Sequence, residues 1–112
     1  MPFAVTALAA LARDTRLSIF RLLVQEGPQG LPAGQIGERL EVVPATLSFH
    51  LQQLRQAGLL TSWRDGKSII YAANFDTMNE LLAYLTENCC RGEPEKCGAT
   101  ACRARDYEGN SA

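Results

Sequence analysis

The strongest constraint on the fold is the Asp65-Gly66 dipeptide, which lies between two segments rich in β-branched and aromatic residues, 59–64 and 67–73. This pattern is the clearest short-range signal for a β-hairpin with a tight turn. We therefore predict a hairpin in the second half of the chain.

The first 26 residues carry apolar side chains at intervals of three and four, which predicts two helices. Asp14 is the expected N-cap of the second helix, and Gly27-Pro28-Gln29-Gly30 is expected to end it. The apolar faces are predicted to contain Phe3, Ala7, Leu8 and Leu11 in the first helix, and Leu17, Phe20, Leu23 and Val24 in the second.

Two further helices are predicted before the hairpin. One runs from about Ala33 to Leu40, and the other begins at Pro44, a favourable first-turn residue, and ends at Ala57 before Gly58. Two helices joined by a short connection indicate a helix-turn-helix, and a hairpin directly after it is a wing. The predicted fold class is mainly α with a small β-hairpin, a winged helix-turn-helix.

A last helix is expected to start near Thr77, because Glu80 three residues later completes a capping-box pattern. Its apolar face is predicted to hold Met78, Leu81, Leu82, Leu85 and finally Cys89. We expect residues 1–90 to form the DNA-binding and dimerisation domain. Residues 91–112 lack apolar periodicity and are expected to be an irregular, cysteine-containing tail.

The helix from Pro44 to Ala57 has two different faces when it is rotated by 100° per residue. Leu47, Leu51 and Leu54 fall together and are predicted to face the core. The opposite side has small, hydroxyl and amide side chains, which permit close approach to a major groove and hydrogen bonds to phosphates or bases. Taken alone, this side is equally compatible with a solvated helix surface. The residues that we expect to contact DNA are Ala45, Thr46, Ser48, Phe49, His50, Gln52 and Gln53, with Arg64 and Lys67 at the hairpin turn.

His50, the one histidine of the chain, lies at the edge of the leucine face. We expect a partly buried imidazole that bonds a backbone group or a phosphate. No acid, cysteine or serine partner is identifiable nearby, and the sequence shows no P-loop-like anion cradle or acid–base pair. The chain is therefore predicted not to be an enzyme.

Charge favours DNA binding only as a dimer. The formal net charge is −1, and residues 33–73 hold four basic against three acidic residues. A dimer doubles the phosphate contacts and can occupy two half-sites one helical turn apart. A chain of 112 residues is also small for a self-sufficient core. We expect dimerisation through the first and last helices, although their apolar faces are equally able to pack within one protomer.

All four cysteines occur after residue 88, at Cys89, Cys90, Cys97 and Cys102. No apolar run is long enough to span a bilayer and the N-terminus does not resemble a secretory signal, so we expect a cytoplasmic protein with reduced thiols. Cys89, Cys90 and Cys97 suit a soft, thiophilic ion such as As(III) or Sb(III), whereas the spacing does not resemble the paired knuckles of structural zinc. Cys102 is an alternative third ligand or a spare thiol.

These segments together resemble the ArsR/SmtB family of winged-helix, metal-responsive repressors. The resemblance lies in residues 12–23, in residues 46–51, in residues 54–60, and in the wing Arg64-Asp65-Gly66-Lys67 with Tyr71; the pairing of Ser-x-His-Leu with Leu-Arg-x-Ala-Gly-Leu is its most specific part. It covers roughly residues 3–90. It implies a homodimer that occupies double-stranded operator DNA and leaves when an inducer binds.

Two common inducer sites of that family are absent from this sequence. The segment 35–40 lacks cysteine, and the segment 77–90 lacks histidine. The end of the chain resembles instead the subgroup whose arsenite site combines Asn-Cys-Cys at the end of the last helix with a later cysteine, which here gives Cys89, Cys90 and Cys97. The expected inducer is As(III), with Sb(III) or methylated As(III) as variants. The alternative is a regulator of the same fold that senses thiol oxidation.

Overall fold

The computed structural model describes residues 2–92, with side chains from residue 3 onward. The chain divides into two compact units, the first ending at Met78 and the second beginning at Asn79. Cys97, Cys102 and the rest of the predicted tail beyond Gly92 lie outside the described residues. The elements in chain order are α1 (Pro2–Leu11), α2 (Asp14–Glu26), β1 (Leu31–Pro32), α3 (Ala33–Leu40), α4 (Pro44–Gln56), β2 (Leu60–Asp65), β3 (Ser68–Ala73), α5 (Phe75–Leu85) and a 3₁₀ segment (Cys89–Gly92).

The predicted winged helix-turn-helix is confirmed. β2 and β3 form the expected antiparallel hairpin, and α3 and α4 precede it with a short connection. The sheet has a third strand that the sequence did not predict, because β1 is only two residues long and pairs with distant β3, placing Leu31 opposite Tyr71. The strand order is β1-β3-β2.

The hairpin turn lies one residue later than the Asp-Gly pair suggests. Asp65 belongs to β2 and pairs with Ser68, so the turn consists of Gly66 and Lys67. Gly66 has a φ of +64°, and glycine at the first turn position is the preference of a type II′ hairpin. This register puts Lys67 at the tip of the wing and Arg64 opposite Ile69.

The core of the first unit is mainly aliphatic. The largest fully buried side chains in it come from α2, α3, α4 and the start of the wing. They are Ile19, Leu23, Ile36, Leu51, Leu54 and Leu59.

The buried face of α2 differs from the predicted one. Arg16, Ile19, Phe20 and Leu23 are buried, whereas Leu17 is 44% exposed. The helix begins at Asp14 with Arg13 in the N-cap position, and Arg13 makes no side-chain capping bond. The prediction of Asp14 as N-cap was therefore wrong, and Asp14 instead places a carboxylate in the first turn, where the helix dipole favours negative charge.

In α1, the small residues rather than the large ones are most buried. Ala4, Ala7 and Ala10 are buried at intervals of three, while Val5 is 70% exposed and Leu8 is 44% exposed. Only Ala7 of the predicted face is therefore fully in the core. Exposed aliphatic side chains on a helix are available for contact with another protein surface.

The start of α5 was mispredicted by two residues. The helix begins at Phe75, and the backbone N–H of Thr77 donates to Oδ1 of Asn74 at 3.3 Å. The Asn74 side chain also donates through Nδ2 to the carbonyl of Gly58 at 3.0 Å. Asn74 caps the helix in place of Thr77, because its amide satisfies a helix N–H and a loop carbonyl at once.

The end of α5 also differs from the prediction. The helix stops at Leu85, so Cys89 is not on its apolar face. The Thr86 hydroxyl donates to the carbonyl of Leu82 at 2.7 Å, and Asn88 has a φ of +55°, a left-handed conformation that asparagine adopts more readily than most residues. Leu81 is buried, whereas three later apolar residues of the helix are exposed, namely Leu82 (40%), Tyr84 (39%) and Leu85 (56%).

Within residues 2–92, no helix is both long and apolar enough to cross a membrane.

Candidate functional site

The helix α4 is defined by its two ends. Val43 precedes it in an extended conformation, Pro44 occupies the first turn where its missing N–H costs nothing, and Gly58 follows with a φ of +81°. Leu47, Leu51 and Leu54 are buried, as predicted. The leucine side therefore fixes which side of α4 faces outward.

The outward side of α4 carries most of the residues predicted to contact DNA. Ala45, Thr46, Ser48, Phe49 and Gln52 are exposed, and Gln53 is half-buried. Hydroxyl and amide groups on a helix that follows a tight turn can donate to and accept from base edges and phosphates.

The connection between α3 and α4 is tight because of one glycine. A Cβ on Gly37 would lie 3.1 Å from the carbonyl oxygen of Val42 and 3.2 Å from Cδ2 of Leu47, which is closer than ordinary packing. Glu41 ends α3 in the left-handed region with a φ of +56°, and the N–H of Val42 donates to the carbonyl of Gly37 at 3.0 Å. The absence of a side chain at Gly37 thus lets the two helices of the motif approach each other.

The wing presents both predicted cations to solvent. Arg64 and Lys67 are exposed, and Lys67 lies in the turn itself. Two apolar side chains of the wing that were not predicted as functional are also exposed, Trp63 (42%) and Ile69 (41%). In the hairpin register Trp63 lies opposite the buried Ile70, and Ile69 lies opposite Arg64.

His50 is buried, unlike its neighbours on the outward side of α4, and its contact with DNA stays a prediction. It is 8% exposed, and its Nδ1 accepts a hydrogen bond from Nε of Arg16 at 3.1 Å. The partner is an arginine side chain, where a backbone group or phosphate was expected. Because Arg16 belongs to α2 and His50 to α4, this bond joins the two helices.

Arg16, Phe49 and His50 form one cluster. The guanidinium carbon of Arg16 lies over the Phe49 ring at 5.5 Å from its centroid, within the range of a cation–π interaction. The Phe49 and His50 rings meet edge to face, with centroids 5.7 Å apart and an interplanar angle of 61°. Arg16 is only 7% exposed, so sequence reasoning, which assigns arginine to solvent, missed it.

The surroundings of His50 lower its pKa below the usual 6.5. Burial is the largest cause, followed by the positive charges of Arg16 and then Arg13. Both effects disfavour the imidazolium. The lowered pKa favours the neutral imidazole, which is the state in which Nδ1 can accept a hydrogen bond from the Nε–H of Arg16.

Two of the three predicted thiol ligands, Cys89 and Cys90, lie within the described residues. Cys89 is half-buried and Cys90 is exposed, and both lie in the 3₁₀ segment that follows α5 by three residues. Cys90 and Arg91 have left-handed backbones, with φ of 54° and 58°. Within residues 2–92, no three His, Cys, Asp or Glu side chains come together as a metal-ion site.

A family model described as a helix-turn-helix domain matches residues 11–62. This span runs from the end of α1 through the first half of β2, and it contains both α3 and α4.

The chain is also similar to known regulators along most of its length. It is 34% identical over 73 residues to the uncharacterized HTH-type transcriptional regulator YceK of Bacillus subtilis, covering 65% of this chain and 72% of that protein. It is 30% identical over 87 residues to the HTH-type transcriptional regulator YgaV of Escherichia coli, covering 78% and 86%. The structure of an ArsR-like transcriptional regulator from Rhodococcus sp. RHA1 matches with a TM-score of 0.67 and 29% identity, covering 78% of each chain. These relatives are regulators rather than enzymes, as the sequence predicted.

Proposed function

Because the chain belongs to the ArsR/SmtB family of winged-helix transcriptional regulators, we propose that it represses transcription as a homodimer on operator DNA and is released by a metalloid. The observation that carries the DNA-binding half is the division of α4 into a buried leucine side and an exposed side of hydroxyl and amide residues. The cytoplasm is the proposed location, since operator DNA is found there and thiols stay reduced.

Operator contact is assigned to α4 and the wing. In the major groove, base edges and phosphates are contacted by the polar residues of the outward side of α4, namely Thr46, Ser48, Gln52 and Gln53. Arg64 and Lys67 approach the phosphates beside it, and their loss weakens binding to all DNA sequences alike.

Dimerisation is the second part of the proposal. Val5 and Leu8 of α1 are exposed aliphatic residues, and so are Leu82 and Leu85 of α5. Exposed apolar area of this kind on a small domain favours burial against a second copy. The weak positive charge of residues 33–73 supports the same conclusion, because two half-sites are needed for useful affinity.

The inducer half of the proposal rests on Cys89 and Cys90, which are adjacent in the 3₁₀ segment that follows α5 by three residues. With Cys97 they provide three thiolates and no hard oxygen or nitrogen ligand, a set that suits a thiophilic ion. As(III) is the proposed inducer, with Sb(III) and methylated As(III) as related candidates. Cys102 is the alternative to Cys97.

Release follows if closing the thiol site moves α5, which carries proposed dimer contacts. Half-site spacing is geometrically fixed, so a small tilt of one recognition helix relative to the other weakens operator binding. Allosteric couplings are typically about 1–3 kcal/mol, and efficient release needs the upper part of this range.

Binding of double-stranded DNA is tested with operators selected from a random pool by the wild-type dimer. The Gln52→Ala and Ser48→Ala variants are expected to bind the selected operator about five- to 150-fold more weakly, since each removes polar contacts of about 1–3 kcal/mol. Arg21→Ala, an exposed α2 residue outside the proposed contacts, is the matched control. Equal affinity of all four proteins would contradict the assignment of α4.

The thiol assignment is tested by the ultraviolet absorbance of As(III)–thiolate bonds under a phosphine reductant. We expect one As(III) per protomer in wild type and in Cys102→Ser, and none at the same concentration in Cys89→Ser or Cys97→Ser. Normal binding by Cys97→Ser would exclude Cys97 as ligand. The alternative of a redox sensor predicts a different pattern, namely operator release by peroxide and no effect of arsenite while the thiols are kept reduced.

A further inference from the structure

We propose that Phe49 is a specificity-determining residue that recognises the 5-methyl group of a thymine in the major groove, and that Arg16 is a positioning residue that fixes the Phe49 ring for this contact. The inference rests on the proposed binding of operator DNA. It adds which base feature is recognised and how the recognising side chain is held.

Phe49 is unusual among the outward residues of α4. Its side chain is 53% exposed, although its neighbours Ser48 and Gln52 on the same side are polar. A phenyl ring can neither donate nor accept a conventional hydrogen bond, so it contributes nothing to recognition of polar base edges. Its contribution to a DNA complex is apolar burial.

Thymine is the base that supplies an apolar partner in the major groove. Its 5-methyl group lies at the groove edge, whereas the other bases present donors and acceptors there. Contact of phenylalanine with this methyl group is an established mode of direct recognition. The chemistry of Phe49 thus selects thymine over the other bases.

The Phe49 ring is held in place before DNA arrives. The Arg16 guanidinium covers one side of the ring at 5.5 Å, and His50 meets it edge to face at 5.7 Å. Arg16 is itself fixed by its bond from Nε to Nδ1 of His50, and both residues are more than nine-tenths buried. A ring fixed in this way loses little conformational entropy when DNA binds. More of the free energy of its contact with the methyl group therefore remains as a preference for thymine.

Arg16 acts through Phe49 rather than on DNA. Its side chain is 7% exposed, so the guanidinium is not a surface phosphate contact. Removing it is therefore expected to reduce thymine recognition more than general DNA affinity.

Ala45 and Thr46 also carry methyl groups on the outward side of α4. They precede Phe49 by one helical turn, about 5.4 Å, which exceeds the base-pair spacing of about 3.4 Å, so we expect them to face different base pairs. A position-by-position test separates the three residues.

The test uses the selected operator with deoxyuridine in place of one thymine at a time, which removes only the 5-methyl group. Affinity is measured for wild type, Phe49→Ala, Arg16→Met and the control Thr46→Ser. For wild type we expect about a fourfold loss at one thymine in each half-site, the equivalent of one buried methyl group. Phe49→Ala should bind thymine and deoxyuridine operators equally at that position, and Thr46→Ser should keep the fourfold difference.

Arg16→Met should show a smaller thymine preference than wild type at that position. Arg16 is buried, so the affinity of this variant is interpreted only if its circular dichroism spectrum matches that of wild type. Phe49 is exposed, so Phe49→Ala tests the recognition of thymine in either case. The inference is overturned if the wild-type dimer shows no methyl-dependent position, or if Phe49→Ala keeps the full difference. Failure to select any DNA would instead refute the proposed function from which the inference starts.

Discussion

Nε of Arg16 donates a 3.1 Å hydrogen bond to Nδ1 of His50, and through it a buried arginine of α2 is tied to the helix proposed to contact DNA. The bond requires a neutral imidazole, because a protonated Nδ1 is a donor and would face the guanidinium. The positions of α2 and α4 are therefore linked to the protonation state of one side chain.

This link predicts a pH-dependent stability. The pKa of His50 is lowered in the folded state, so the unfolded chain binds a proton first as the pH falls below the usual 6.5. The contribution of His50 to stability is fully present above pH 6.5 and is lost as the pH falls toward its folded pKa. Urea unfolding of wild type at pH 7.5, 6.5 and 5.5 should show a decreasing free energy of unfolding.

The matched variant for that experiment is His50→Gln, which cannot titrate. It should be less stable than wild type at pH 7.5 by about 1 kcal/mol, the value of a typical hydrogen bond, and should lose less stability between pH 7.5 and 5.5. An equally steep decline in wild type and variant would assign the pH dependence to other groups.

Leu54 is expected to be among the most sensitive positions of α4. It is fully buried, so Leu54→Ala should reduce the free energy of unfolding by about 2–5 kcal/mol through lost burial and a residual cavity. Val43→Ala, at a residue 64% exposed, should change it by less than about 0.5 kcal/mol. Chemical denaturation of the two variants side by side gives the comparison, and similar losses would mean that the leucine side of α4 is not the core side.

Gly30 and Gly34 should respond oppositely to alanine. Gly30 has a φ of +66°, and a Cβ there would overlap the carbonyl oxygen of Tyr71, so Gly30→Ala should destabilise the fold by more than about 1 kcal/mol. Gly34 is in α3 with open space around it, so Gly34→Ala should stabilise by about 0.5–1 kcal/mol. Thermal unfolding midpoints check both signs, and a stabilising Gly30→Ala would contradict the close contact of β1 with β3.

The proposed dimer surfaces predict an effect of added charge. Leu8→Glu and Leu85→Glu should each raise the dimer dissociation constant by at least tenfold, because an unpaired carboxylate would be buried on association. Ile69→Glu, at an exposed wing residue outside those surfaces, is the control. Sedimentation equilibrium measures the constant, and an unchanged dimer in both test variants would remove α1 and α5 from the interface.

The sequence predicted the parts of the fold that local chemistry decides. Helix periodicity identified the leucine side of α4, and the Asp-Gly pair identified the hairpin, because both signals lie within a few residues. β1 escaped prediction, since two residues carry no periodicity and their pairing with β3 is a long-range contact. Asn74 and Thr77 are both acceptable caps, and only the contact of Asn74 with Gly58 decides between them.

The candidate site was predicted less completely than the fold. Five exposed residues of α4 and the two wing cations are where the sequence placed them, but His50 turns inward. Its partner Arg16 lies on the same face of α2 as Phe20 and Leu23, and this spacing indicates burial. A prediction from sequence patterns nevertheless assigns arginine to the surface, because its side chain is charged. The buried guanidinium of Arg16 has its hydrogen-bond acceptor on His50, 34 residues away in the sequence. A pattern read over a few neighbouring residues cannot reveal such a partner.

Release of the dimer from its operator by a metalloid at the Cys89-Cys90 turn can be measured by fluorescence anisotropy of labelled operator DNA. Arsenite added to the complex under a phosphine reductant should lower operator affinity by at least tenfold in wild type and in Cys102→Ser. Arsenite should leave the Cys89→Ser and Cys90→Ser variants bound to the operator. Undiminished operator binding by wild type at saturating arsenite, or equal release of the Cys89→Ser and Cys90→Ser variants, would rule out metalloid-induced release through these thiols.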